Sequence, residues 1–235
     1  MKIRITGDTH GQFYGIEQWC KEEKTTKEDI LCITGDVGIN YYGYVRDREK
    51  KEYLQSLPIT LFCVHGNHER RPESLPDYEL VEFHGGMAYV EKEFPNLIFA
   101  KDGEVYDLNG LKTMVIGGAY SVDKYYRLAM GYLWFPDEQP SEETKEYVEK
   151  QLEKHNWEVD VVLSHTAPLK YEPREKFIQG LDQSRVDKST EEWLDKIENR
   201  LSYKCWVAGH YHCDKQIDKM HFLYADIVDF PEKMD

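Results

Sequence analysis

The chain lacks a positive surface. It sets 30 basic residues against 44 acidic ones, for a net charge of −14 at neutral pH. A surface that negative repels a polyanion, which excludes an extended nucleic acid as the expected partner. A small phosphate ester is not excluded, because bound metal ions invert the local field. Apolar runs of membrane-spanning length are missing too, so no membrane association is expected. The five cysteines are odd in number and form no CxxC pair. Cys32, Cys63 and Cys205 sit inside apolar runs, where a thiol behaves as a small core side chain. With a strand beginning at once at Lys2–Ile5 and no leader in front of it, that usage suits a reducing cytoplasm. Internal repeats, low-complexity segments and linkers are absent, so one α/β domain over residues 1–235 is expected, long enough to bury a full-sized core.

What is present is a series of short apolar runs that stop abruptly. Ile3–Thr6 runs into Gly7-Asp8-Thr9-His10-Gly11, and Ile30–Thr34 into Gly35-Asp36-Val37-Gly38. Ile59–Val64 ends at His65-Gly66-Asn67-His68-Glu69-Arg70. Asp160–Leu163 leads to Ser164-His165, and Cys205–Ala208 to Gly209-His210-Tyr211-His212. Each reads as a buried strand ending in a loop that presents an amide, an imidazole or a carboxylate. Between the first three strands, Gln12–Lys24 carries Ile16 and Trp19 on one face, and Tyr44–Ser56 is a charged helix stopped by Pro58. Strand, helix, strand, helix, strand at this spacing predicts parallel crossovers.

Pro72–Pro95 has two prolines, Gly85-Gly86 and several acids, and reads as irregular. Leu97–Ala100, Glu104–Leu108 and Leu111–Ile116 read as strands, the last two joined at Asn109-Gly110, a tight-hairpin signal. The sheet is therefore expected to be mixed. An aromatic connection follows from Gly117 to Pro140. A helix capped by Ser141 runs to about His155, residues 168–187 form a loop, and Ser189 or Thr190 caps a helix burying Trp193, Leu194, Ile197 and Leu201. Lys215–Asp218 and His221–Ala225 read as a closing hairpin.

In open α/β sheets, ligands gather outside the carboxyl ends of the strands. Asp8, His10, Asp36, Asn67, His165, His210 and His212 all lie just past such ends. Ligands of this intermediate hardness suit two divalent transition ions, manganese first, with iron, zinc or nickel as alternatives. In extended backbone, residues i and i+2 point the same way, so Asp8-x-His10 and His210-x-His212 can each serve one cluster. Two ions ~3.5–4 Å apart need a bridging carboxylate, and Asp36, on a central strand, is the natural one.

These blocks, in this order and spanning residues 8 to 212, resemble the motif series of the calcineurin-like metallophosphoesterases. The resemblance implies a four-layer αββα sandwich, two mixed sheets flanked by helices. It implies that Asp8, His10 and His212 hold one metal while Asn67, His165 and His210 hold the other, with Asp36 between them and His68 acting on the substrate.

The chemistry expected is phosphoester hydrolysis, a water shared by the two cations attacking phosphorus in line with the leaving oxygen. Asp36 and His68 are the catalytic candidates; Asn67 and Arg70 are the substrate-binding ones. His68 diverges from its neighbour Asn67, which leaves it free to protonate the leaving alkoxide or stabilise its charge; alternatively it only orients a ligand. Arg70 reads either as a bidentate phosphate contact or as a surface charge. His65 reads as a buried strand residue.

The subclass is less determined. The wording is similar to that of serine/threonine phosphatases, but those continue the second block with Asp-Arg-Gly, where this chain has Val37-Gly38-Ile39-Asn40. The aspartate that would support His68 and the arginine that would hold phosphate are missing from that block. A phosphatase acting on a small phosphoester is the first reading, and a phosphodiesterase for nucleotide-like or cyclic esters the second. A catalytically weak metal-binding scaffold comes last. The connection 118–140, with Lys124, Arg127 and several tyrosines, is either a lid for an aromatic ester or a surface loop packed by its own rings.

Overall fold

The computed structural model describes residues 1–177, 179–180 and 182–231; positions 178 and 181 of the expected 168–187 loop lie outside the described residues. Strands β1 (Ile3–Thr6), β2 (Ile30–Ile33) and β3 (Thr60–Cys63) are parallel neighbours, connected by α1 (Tyr14–Glu23) and α2 (Tyr44–Ser56). β4 (Tyr78–Phe83) and β5 (Gly86–Glu91) form an antiparallel hairpin, and β6 (Leu97–Ala100) pairs with both β5 and β3. β7 (Val105–Leu108) and β8 (Leu111–Ile116) open a second sheet. Then come α3 (Lys124–Met130), α4 (Glu142–Lys154), β9 (Val161–Ser164), α5 (Ser189–Glu198), β10 (Cys205–Ala208), β11 (Lys215–Ile217), β12 (Met220–Phe222) and β13 (Val228–Asp229). The sheet orders are β13-β1-β2-β3-β6-β5-β4 and β11-β12-β10-β9-β8-β7.

Both sheets are mixed, and their apolar runs are buried on both faces. Ile30 and Cys32 of β2 face the second sheet, where Val115, Leu163 and Val207 wait; Leu31 and Ile33 face Ile16 and Leu54 of the outer helices. Across the second sheet, Met114, Val162 and Trp206 pack under Val148, Leu152, Trp193, Leu194 and Ile197 of α4 and α5. Helices thus cover both outer faces of a two-sheet sandwich, the expected αββα arrangement. Double-sided burial explains why the central strands read as unbroken apolar runs rather than alternating ones. Among the described residues no helix is long and apolar enough to cross a membrane.

Four local expectations are corrected. Pro72–Pro95 is not irregular: it holds the β4–β5 hairpin, turned at His84 (φ 48°) and Gly85 (φ 84°). β4 lies at a sheet edge, where Val81 and Phe83 are only partly buried against the core and Leu80 is exposed on the other face, so it leaves no period-2 signal. Second, the connection after Gly117 contains a helix, α3. Third, α5 is not capped by Ser189 or Thr190, which lie inside it; the Asp187 carboxylate accepts from the Ser189 amide at 3.0 Å instead. Fourth, β13 closes on β1 antiparallel, a pairing too short to be read ahead. Ser141 does cap α4, its Oγ accepting from Thr144 N at 3.1 Å.

Candidate metal centre

The seven ligand candidates, drawn from positions 8 to 212 of the sequence, meet at one end of the sandwich. β1 delivers Asp8 and His10, β2 Asp36, β3 Asn67 and His68, β9 His165, and β10 His210 and His212. The loops are tied to one another by their own backbone. His10 N donates to Asp36 O at 2.8 Å, and Gly209 N to His165 O at 3.0 Å. The carboxylates join in: Asp36 Oδ1 accepts from His68 N at 2.8 Å, and Asp8 Oδ1 from His210 N at 2.9 Å. Each acid is thus fixed through one oxygen, with the other left for a different use.

Packing this tight has a conformational cost. His10, Asp36, His210 and His212 all have φ between 46° and 64°, the left-handed region that side chains avoid. Such residues cost about 1–3 kcal/mol each and cluster where function requires them. Gly209 cannot carry a side chain without moving its neighbours: a Cβ there would stand 2.2 Å from Asp8 Oδ1.

Two groups of ligand atoms converge within 4.8 Å: Asp8, His10 and His212, and Asp8, Asp36 and His165. Asp8 is common to both. Asp36 Oδ2 lies 3.9 Å from His10 Nδ1 and 3.8 Å from His165 Nε2, so it too faces both clusters. Beside them, Asn67 Oδ1 lies 2.7 Å from His165 Nε2 and 3.1 Å from His210 Nδ1.

The donors fit cations most clearly where His165 and Asn67 turn lone pairs on each other. His165 Nδ1 points at the Thr34 carbonyl oxygen, 2.8 Å away, so in the neutral ring Nδ1 carries the hydrogen and Nε2 a lone pair. Asn67 Nδ2 donates to Ser121 Oγ at 2.9 Å, which turns its amide oxygen toward that same Nε2. His10 Nε2 and His212 Nε2 stand 2.9 Å apart. Asp8 Oδ2, buried and 3.3 Å from His212 Nε2, is too poorly aligned to accept a hydrogen bond and has no such partner among the described residues. Burial pushes the Asp8 pKa up, but His212, His165, His10 and the His210 amide outweigh it and hold the carboxyl below its ordinary value. Burial and the neighbouring His165 lower the His210 pKa well below the usual imidazole value, which keeps that ring in its ligand form.

His68 stands at the edge of this cluster, half-buried, its Nε2 3.2 Å from both Asn67 Nδ2 and Arg127 Nη2. Burial lowers its pKa, Asp36 opposes that, and Arg127 adds to it. Arg70 lies elsewhere. Its guanidinium sits over the Phe135 ring, 5.8 Å from the centroid, and it lines a second cavity with Asn40 and Asp47. The arginine that reaches His68 is Arg127 on α3, held by Asp123 Oδ2 (2.8 Å) and Tyr41 Oη (3.1 Å). An Asp-Arg pair, absent from the second sequence block, is present here in the aromatic connection. The i,i+4 spacing of Asp123 and Arg127 is legible as a helical ion pair; where that helix docks is not.

Two buried residues were not read in the places they take. Ser121 orients the Asn67 amide, and Glu69 accepts from Gly66 N at 2.9 Å beneath the β3 loop, its pKa driven well up by burial and by Asp36. His65 is buried, as expected, its Nε2 3.0 Å from the Glu69 carbonyl oxygen. The aromatic connection divides: Tyr120, Val122 and Asp123 line a cavity of about 330 Å³ at the cluster, whereas Tyr125, Tyr126 and Tyr132 are exposed.

A sandwich that gathers Asp, His and Asn at the carboxyl ends of strands from both sheets defines a phosphoester hydrolase of the metal-dependent kind. The calcineurin-like phosphoesterase family model matches residues 1–214, and the chain belongs to that family. A lariat debranching enzyme from Entamoeba histolytica is 24% identical over 260 aligned positions, covering 94% of this chain and 67% of that protein. A crystal structure of a protein of unknown function from Aquifex aeolicus is 17% identical, covers 73% of this chain and 81% of its own, and superposes with a TM-score of 0.36.

Proposed function

We propose that the protein hydrolyses a small phosphoester with two divalent transition ions, manganese first among them, held by Asp8, His10 and His212 on one side and Asn67, His165 and His210 on the other, Asp36 shared. The observation that carries this is the His165 Nε2 lone pair turned on the Asn67 amide oxygen at 2.7 Å, with Asp8 Oδ2 unpartnered among the described residues. When bound, such ions supply Lewis-acid charge at the phosphoryl oxygens and acidify a water. The chain's own residues do the rest. Arg127 brings a fixed cation to the cavity edge, and we assign it the phosphate contact that the sequence had offered to Arg70. His68, neutral in this arrangement, accepts at Nε2 from Asn67 and Arg127 and keeps its proton at Nδ1. A phosphate that takes up the Arg127 guanidinium frees that Nε2, and a proton taken up there from solvent would be the one His68 gives to the leaving oxygen. The free cysteines and the acidic surface support a reducing, cytoplasmic setting and a small substrate rather than a polymer.

A second reading, cleavage of a diester, draws support from the relative named for debranching lariats. Para-nitrophenyl phosphate and its bis ester, offered with manganese, iron, zinc or nickel, separate the two. Metal content of the purified protein is measured in parallel. Turnover of neither ester with any of these ions, in protein shown to hold metal, would overturn the proposal and favour a binding scaffold.

A further inference from the structure

The cavity at the cluster extends past it. Its far wall sets Tyr120, Phe177, Val186 and Tyr211 beside the ion pair of Lys188 and Glu172. The Phe177 and Tyr211 rings are nearly parallel, with 11° between planes and 6.4 Å between centroids, and the Lys188 ammonium that stands 4.9 Å from the Phe177 centroid is the group a stacked ring would displace. The same cavity is lined by a buried carboxyl. Glu191, 4% exposed, stands in the first turn of α5. Its Oε1 accepts from Thr166 Oγ1 at 2.8 Å. Its Oε2 is buried and has no hydrogen-bond partner among the described residues. Buried polar atoms are almost always paired, and an unpaired one on a residue that lines a cavity is where a ligand's donor, admitted by a small shift of the side chain, would complete the set.

Two demands follow for whatever lies there. It needs a flat face to lie against Phe177 or Tyr211, and an N–H or O–H to give to Glu191. A sugar has donors but no flat face. A phenyl ring has the face but no donor. A heteroaromatic ring with an N–H has both. About 330 Å³ is at the small end of ligand cavities, which run roughly 300–1,000 Å³, so the space suits one nucleotide rather than a strand.

We propose that this wall is a base-binding subsite: the ester cleaved at the cluster carries a nucleobase, stacked on Phe177 and Tyr211 and donating an N–H to Glu191 Oε2. The proposal rests on the hydrolase reading only for where the phosphate lies; the base contacts belong to the chain alone.

The test therefore begins without metal. Binding of adenosine, guanosine and purine riboside, whose base carries no N–H or amino group, is measured by calorimetry on the whole protein with chelator present. Adenosine or guanosine is expected to bind at least tenfold more tightly than purine riboside. Phe177→Ala should weaken that binding about 10- to 100-fold, the range stacking on an aromatic contributes. Glu191→Gln, whose amide presents an N–H to the ligand's N–H, should abolish the preference over purine riboside. With manganese, the ratio of kcat/KM for nucleoside monophosphates to that for phenyl phosphate should fall in both variants. Nucleosides that bind no better than purine riboside, or not at all, overturn the subsite even if phenyl phosphate is hydrolysed. Nucleosides that bind selectively while no ester is hydrolysed uphold the subsite and overturn the hydrolase reading. Should either variant fail to fold, the comparison of ligands on the unaltered protein decides alone.

Discussion

Arg127 Nη2 lies 3.2 Å from His68 Nε2, although 59 residues separate the two in sequence. The contact joins a strand-end histidine to a short helix that the sequence presents only as an aromatic connection. Asp123 and Tyr41 hold the guanidinium from behind, so its position does not depend on His68 alone.

If Arg127 holds phosphate, Arg127→Ala should lower kcat/KM on the order of 10²–10³-fold, the size of losing one preorganised electrostatic donor. Inorganic phosphate should inhibit the variant far more weakly than the parent. Arg127→Lys should restore little, because an ammonium cannot make the two parallel bonds of a guanidinium. Added guanidinium ion should rescue the alanine variant in part. A variant that keeps both its rate and its phosphate inhibition shows Arg127 to be a structural ion-pair partner of Asp123.

Metal binding and catalysis should come apart at neighbouring residues. Asp36→Ala removes the carboxylate facing both clusters, and should lose metal content and activity together. His68→Ala should keep metal content and lose roughly 10²–10⁴-fold in rate, as removal of a proton-transfer group does. Manganese at 100 times its Kd should stabilise the parent by about 2.7 kcal/mol, and chelator should abolish that gain. The Asp36→Ala melting temperature should not respond to either. A His68→Ala protein that arrives without metal would make His68 an organiser of the centre.

Much of this was legible because burial and strand ends leave marks in sequence. Leu31 and Ile33 face helices while Ile30 and Cys32 face the other sheet, so β2 is apolar throughout and its end at Gly35-Asp36 is sharp. The ligands stand at such ends because that is where the chain leaves the sheet. What was not legible depends on tertiary packing. The β4 edge strand buries Val81 and Phe83 only in part and exposes the apolar Leu80 on its other face, and so shows no period. Arg70 sits beside the motif in sequence, yet its backbone turns it over Phe135, and Arg127 takes the place by docking from afar. Glu191 looks like any acid complementing a helix N-terminus, and only the fold shows that it is buried on a cavity wall.

The closeness of the loops sets a third expectation. A Cβ at Gly209 would stand 2.2 Å from Asp8 Oδ1 and 2.8 Å from Thr34 Oγ1. Gly209→Ala should therefore displace the Asp8 carboxylate and cost about 1–3 kcal/mol, the usual penalty of overpacking a filled interior. It should also weaken metal uptake, because the His210 amide that anchors Asp8 moves with it. Unchanged denaturant midpoint and metal affinity would show that the β10 loop has slack which the contacts do not reveal.

Glu191 ties stability to pH in a definite direction. Burial raises its pKa from 4.5 to about 7, with Thr166 and Lys188 lowering it and Glu172 adding to the rise. The folded protein therefore binds this proton more tightly than the unfolded chain does. Stability falls as pH rises from about 4.5 to about 7, and the penalty is complete above that. Each tenfold gain in proton affinity corresponds to about 1.4 kcal/mol, so the cost reaches a few kcal/mol in alkaline buffer. Glu191→Gln keeps an oxygen for Thr166 and has nothing to ionise. Its melting temperature relative to the parent should accordingly be higher at pH 8 than at pH 5. A ligand that donates an N–H to Oε2 favours the charged form, so nucleoside binding to the parent should tighten as pH rises through about 7, while binding to the glutamine variant stays flat. A melting difference that does not change between pH 5 and pH 8 would place the Glu191 titration outside this range and remove the pH dependence of binding with it.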